Sequence, residues 1–271
     1  MAGRGAKKER LARTFDRSAA LYERGRPGYP RSALRFIASN LGVGRGSVVV
    51  DLAAGTGKFT REIVRTGAAV VAIEPMAGMR REFRRRVPDV PIVEGTAEKI
   101  PLPSGSVDAV VVAQAFHWFR GRLALREIAR VLRPGGLLVL VWNTRDDRYR
   151  WSRELTAIIE GAGGPRIYAA AHGGDTLWRR PFRRGASPFT GLKKRTFPHV
   201  QDAPPGTFLA RALSVSLVAA QPPSVRRRVA REVRTLLATD PQTRGRELIR
   251  LTYRTELFWC RLRAPRRVRT I

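Results

Sequence analysis

The stretch VVVDLAAGTGKFT (48–60) decides how the chain is read. Three valines running into Asp51 form a strand of the kind buried on both faces, and Ala53-Ala54-Gly55-Thr56-Gly57 is a tight turn. Phe59, Ile63 and Val64 then begin an amphipathic helix. Glycine is needed in such a turn because a Cβ would obstruct both the bend and the approach of a ligand. The start of the helix offers unpaired N–H groups to a negatively charged group. Two common cradles do not match. A P-loop needs glycine where Leu52 stands and Ser or Thr where Phe59 stands, so Lys58 is not a P-loop lysine. The dinucleotide fingerprint asks for a third glycine at Thr60. What remains is an acid, three residues, then Gly-x-Gly, followed by a second apolar strand, AAVVAIEPM (68–76), whose end carries Glu74. A carboxylate at that strand tip can accept both hydroxyls of a ribose.

Two further segments continue the pattern in order. PIVEGTAEKIPLPSGSVDAVVVAQAFHWF (91–119) reads as strand, acidic turn and strand, and LREIARVLRPGGLLVLVWN (125–143) as helix, turn and strand. With the first two, they give the chain a likeness over residues 11–143: it resembles the class I S-adenosylmethionine (SAM) dependent methyltransferases. Tyr22, Arg26-Pro27-x-Tyr29-Pro30 and Gln114-Ala115-Phe116-His117-Trp118 are similar to the small-molecule subgroup around trans-aconitate methyltransferase. The resemblance implies an α/β, Rossmann-like fold, a seven-stranded, mostly parallel sheet with helices on both faces and a helical cover. It implies SAM as cofactor. The residues implied to hold it are Tyr22, Arg26, Asp51, Ala53, Gly55, Gly57, Glu74, Met76, Ala97, Glu98 and Gln114. Glu74 would take the ribose, Asp51 the methionine end, Met76 an adenine face, and Ala97 and Glu98 the adenine edge. Ala53 departs from the glycine usual at that position.

The acceptor is expected at the carboxyl ends of the fourth and fifth strands and under the cover, against His117, Trp118, Trp142, Asn143, Tyr149 and Tyr253. His117 is the candidate catalytic residue, as a base toward a hydroxyl or a donor toward a carboxylate. The Asn/Asp-Pro-Pro-aromatic ending of base-methylating enzymes is absent, and no cysteine stands where C5 methylation would need one. A small-molecule acceptor, a carboxylate or a hydroxyl, is therefore expected, with an RNA-binding methyltransferase or a noncatalytic SAM-binding regulator as alternatives.

Composition sets the outer bounds. A chain of 271 residues buries roughly three quarters of its unfolded surface and needs no staple. Its single cysteine, Cys260, excludes an internal disulfide and a cysteine-based zinc site, and no metal is expected. No apolar run is long enough to span a bilayer and MAGRGAKKER has no secretory core, so a cytoplasmic location is expected. The net charge of +30 favours polyanions, yet only six of the 52 basic residues are lysine and the arginines are spread along the whole chain. That spread points to base composition rather than to a nucleic-acid patch. The organisation expected is a disordered basic arm (1–10), a helical cover (11–45), a SAM-binding core (46–143) and a C-terminal part (144–271) that completes the sheet and covers the acceptor. Within that last part, 161–174 reads as a glycine-rich mobile loop, 193–200 as a strand, 207–220 and 225–237 as helices, and 247–262 as a final strand.

Overall fold

The structure is a computed structural model that describes residues 18–162, 176–183 and 187–263. The expected basic arm, residues 11–17 of the cover and most of the 161–174 loop lie outside the described residues. Helix α1 (18–25) and α2 (Arg31–Leu41) precede the sheet. Then follow β1 (Val48–Leu52), α3 (Thr60–Val64), β2 (Ala69–Ile73), α4 (Ala77–Arg86), β3 (Ile92–Val93) and β4 (Val107–Ala113). A 3-10 turn, Phe116–Trp118, leads to α5 (Gly121–Val131), β5 (Leu132–Arg145) and α6 (Arg150–Gly161). The chain closes with β6 (Lys193–Ala203), α7 (Pro205–Ser214), α8 (Ser216–Ala219), α9 (Pro223–Thr239) and β7 (Ile249–Arg261).

The seven strands lie in the order β3-β2-β1-β4-β5-β7-β6. Pairings among the first five are parallel, and β7 pairs antiparallel with both β5 and β6. The apolar runs of β1, β4 and β5 follow from burial on both faces of a parallel sheet. Alternation sorts their side chains. Val50, Leu52, Val110, Val112, Leu138, Leu140 and Trp142 pack against α5 on one face. Val49, Val111, Val139 and Val141 meet α2 and α3 on the other. A third apolar cluster joins α6, α7, α8 and α9 to the first half of β7 through Trp151, Leu155, Phe208, Val233 and Leu251.

Several boundaries differ from the sequence expectation for local reasons. The Leu132–Gly136 turn is absorbed into a bulged start of β5, where Gly135 takes φ 76° and the pairing with β4 shifts register. The expected helix over 207–220 breaks at Val215, whose extended ψ of 128° ends α7. Behind the glycine turn, α3 is only five residues long; it buries Ile63 and leaves Val64 exposed.

Candidate functional site

The order of the strands reverses between β1 and β4, and open α/β sheets bind ligands at the carboxyl edge of such a switch point. Both strands end there in a non-glycine residue with left-handed backbone: Ala53 and Gln114 each have φ 60°. Each costs about 1–3 kcal/mol, a strain that the surrounding structure must hold and that clusters at functional sites. Ala54 N–H donates to the Ile73 carbonyl at 3.1 Å and Gln114 N–H to Val141 at 2.8 Å, so each loop is tied to the neighbouring strand.

Asp51 is 1% exposed on the α2/α3 side of the sheet. Its Oδ2 accepts from the Thr60 hydroxyl at 2.6 Å, and Oδ1 is buried with no hydrogen-bond partner among the described residues. Burial raises its pKa to about 7, the Thr60 bond opposing and Glu74 adding to the rise. Glu74, just past β2, spans two loops: Oε2 accepts from Gly55 N–H and Oε1 from Met76 N–H, both at 2.9 Å. Gly55 has φ 59° with open space where a Cβ would point. Gly57, with φ 82°, is pressed on α4 so closely that a Cβ would come within 2.7 Å of Val87. The first glycine thus leaves room and the second permits packing.

The cover is fastened to this edge from three sides. Glu23 on α1 accepts from Thr56 Oγ1 at 2.5 Å and pairs with Arg61 at 2.8 Å and Lys58 at 3.5 Å, all on or beside the glycine turn. Asn143 Nδ2 donates to the Gly28 carbonyl at 2.8 Å, while its Oδ1 accepts from Thr255 at 2.6 Å. His199 of β6 also bonds the Gly28 backbone, and its own burial lowers its pKa. A Cβ at Gly25 would collide with the backbone of Arg211, so α1 and α7 touch main chain to main chain.

Between cover and sheet edge lies a cavity lined by Tyr22, Arg26, Pro27, Tyr29, Lys58, Gln114, Asn143 and Arg211. The Arg26 guanidinium stands 5.0 Å from the Tyr22 ring centre and that of Arg211 5.3 Å from the Tyr253 ring centre. Burial first, then repulsion from Arg211, lowers the pKa of Arg26 to about 10. Of the residues singled out from sequence, the structure brings Tyr22, Arg26, Gln114 and Asn143 together here. Others stand elsewhere. Trp142 alternates with Asn143 and so faces the opposite side of the sheet, 4.5 Å from the Trp178 ring and 5.6 Å from Phe258. Tyr253 is buried behind Arg211 and donates to Gln201 at 3.0 Å, and Tyr149 caps α6 against the third cluster. His117 and Trp118 occupy the 3-10 turn beyond Gln114, their rings 4.9 Å apart, outside the cavity lining. Ala97 is part of the apolar core, and Glu98 accepts from Arg120 N–H at 2.6 Å, tying the acidic turn to the start of α5. Arg211, Lys58 and Glu23 were not anticipated. A lone arginine inside the apolar run TFLARALSVSLVAA was the available signal for the first.

Comparisons with known proteins bear on the family and the fold. A methyltransferase domain family model matches residues 50–140. An uncharacterised methyltransferase of Mycobacterium bovis is 38% identical over 245 residues, 90% of this chain and 94% of that protein. A demethylmenaquinone methyltransferase from a Mycobacterium species is 38% identical over 131 residues, 48% of this chain and 55% of its own length. A solved structure from Anaeromyxobacter dehalogenans, assigned as a type II methyltransferase, superposes with a TM-score of 0.62 at 25% identity, covering 89% of this chain and 99% of that one. On these matches, the chain belongs to the S-adenosylmethionine-dependent methyltransferases.

Proposed function

We propose that this enzyme methylates a small organic acceptor, with the cofactor over the carboxyl ends of β1 and β2 and the acceptor in the cavity under the cover. The residues present fit that cofactor. The unpartnered Asp51 Oδ1 is a buried anionic acceptor suited to an ammonium, and the open side of Gly55 leaves space for a ligand beside Glu74. Glu74, whose carboxylate accepts from the Gly55 and Met76 N–H groups, is assigned to the ribose hydroxyls. Met76, Ala97 and Glu98 are assigned to the adenine, the last two through their backbone and loop position. Tyr22, Arg26 and Gln114 are assigned to the methionine end, with Ala53 and Gly57 shaping the turn.

SAM, when bound, supplies a methyl group on a positively charged sulfur that departs as a neutral thioether. The chain's part is to hold the nucleophile in line and to exclude water, and the cover clasped by Glu23 and Asn143 serves both ends. The observation that carries the choice of acceptor is the lining itself. Among the described residues it contains no carboxylate and no imidazole, and Lys58 is paired with Glu23. A hydroxyl acceptor would need a base to take its proton, whereas a carboxylate is already ionised, so a carboxylate is the acceptor this cavity suits. The demethylmenaquinone methyltransferase among the relatives supports a small-molecule acceptor over a nucleic acid.

The test is transfer of labelled methyl from SAM to a panel of carboxylic acids, phenols and RNA. Base-labile ester formation on a carboxylic acid is expected, and label appearing on RNA alone contradicts the proposal. His117→Ala separates the two small-molecule cases. Turnover on a carboxylate should hardly change, whereas a hydroxyl acceptor relying on His117 as base would lose roughly a hundredfold.

A further inference from the structure

Resting on the methyltransferase reading above, a narrower statement about the acceptor comes from α7. Arg211 is 2% exposed in a helix whose neighbouring positions are Phe208, Ala210 and Ala212, yet it lines the cavity. Its Nε is buried without a hydrogen-bond partner, as is that of Arg26 across the cavity. Among the described residues, no ion pair includes either of them. A buried guanidinium that keeps its proton and has no counterion is expensive to hold, and loss of the proton is not an available escape for arginine. Nearby, Arg145 at the end of β5 is also buried, and Arg211 contributes to lowering its pKa to about 9.

The count of charges identifies what is missing. Lys58, the third cation of the lining, already has Glu23. The cofactor brings a single carboxylate, on the methionine end assigned above to Tyr22, Arg26 and Gln114. Among the described residues, Arg211 then still lacks an anion, in the part of the cavity walled by Asn143 and Gln114. We infer that Arg211 anchors an oxyanion of the acceptor, a carboxylate or a phosphate, and that the enzyme's substrates are small organic anions. A guanidinium fork suits either group, because both present two oxygens to parallel N–H donors. The Tyr253 ring, 5.3 Å from the guanidinium, and the direct backbone contact of α7 with Gly25 fix where that fork stands.

Thermal unfolding and calorimetry on the full chain test this, using wild type, Arg211→Met and Arg211→Lys. The probes are tricarballylate, phenyl phosphate and their uncharged amide and alcohol counterparts, each added in the presence of S-adenosylhomocysteine. At least one anionic probe should stabilise and bind the wild type, with affinity ten- to a hundredfold weaker in Arg211→Met and intermediate in Arg211→Lys, while the uncharged counterparts have no effect. Whether tricarballylate or phenyl phosphate binds more tightly tells carboxylate from phosphate. Arg211→Met without probes should be at least as stable as wild type, because an uncompensated buried charge is gone. Equal probe affinity in wild type and Arg211→Met, or no anionic probe bound by wild type, overturns the inference. S-adenosylhomocysteine titrated alone reports separately on the cofactor site, so failure there would count against the methyltransferase reading and not against the anchor.

Discussion

The carboxyl of Asp51 has one hydroxyl partner, a buried second oxygen and a pKa of about 7, and these facts give it opposite effects on stability and on binding. Its folded pKa lies above the unfolded value near 3.8, so between about pH 4 and 7 the native state holds a proton that the unfolded state has lost. Its contribution to stability is therefore fullest below pH 4 and declines as pH rises to 7. A cation bound beside it reverses the preference and expels the proton. Affinity for S-adenosylhomocysteine, whose ammonium is the cation assigned to Asp51, should rise with pH up to about 7 and then level off. One proton should be released per ligand below that pH, measurable by calorimetry in buffers of different ionisation enthalpy. Asp51→Asn should raise the melting temperature of the ligand-free protein at pH 8 and weaken S-adenosylhomocysteine binding. A variant that changes both in the same direction would contradict the assignment. Asp51, Glu74 and Gln114 were legible in the sequence because an apolar strand that stops at a polar residue fixes a sheet edge. Trp142 was misplaced for want of parity: neighbours on a strand face opposite ways, and only the register with β4 and β7 shows that Asn143 shares the Asp51 face.

At the scale of elements, the cover works by close approach. With glycine at 25, α1 rests on the backbone of α7 at Arg211, and Glu23 reaches Thr56 and Lys58 of the glycine loop and Arg61 of α3. Gly25→Ala should push α1 outward, cost about 1–3 kcal/mol of stability, and weaken S-adenosylhomocysteine by roughly tenfold. Glu23→Gln, which leaves the helix packing intact, should keep the melting temperature within a few degrees and speed ligand release in stopped-flow measurements. Unchanged release would mean that the clasp does not hold the cover. The parallel strands and their helices were readable from apolar runs and turn residues, and so were β6 and β7 as strands. The clasp and Arg211 were not. Both depend on which surfaces of the N-terminal and C-terminal segments meet, and local periodicity carries no information about contacts between residues as far apart in the chain as Glu23 and Thr56 or Gly25 and Arg211.

On the whole molecule, the net charge is +30, and among the described residues two helices display arginines on the outer surface. Arg81, Arg84 and Arg85 of α4 and Arg227, Arg228, Arg231 and Arg234 of α9 are exposed. Such a distribution predicts weak, sequence-independent RNA binding that falls by orders of magnitude between roughly 50 and 200 mM salt and leaves S-adenosylhomocysteine affinity unchanged. Fluorescence anisotropy with two unrelated RNA oligomers checks it, and a salt-resistant preference for one of them would revive a nucleic-acid substrate. Among the described residues, no helix is long and apolar enough to cross a membrane. The account as a whole depends on the switch-point edge being the cofactor site, with Glu74 on the ribose. Calorimetric titration of S-adenosylhomocysteine into wild type and Glu74→Ala tests that most directly, with NAD and ATP as controls. The account predicts one site per chain in the wild type, binding ten- to a hundredfold weaker in the variant, an effect of about 1.5–3 kcal/mol, and no comparable affinity for NAD or ATP. Equal affinity in the two folded proteins, or tight NAD binding without a response to S-adenosylhomocysteine, would contradict it.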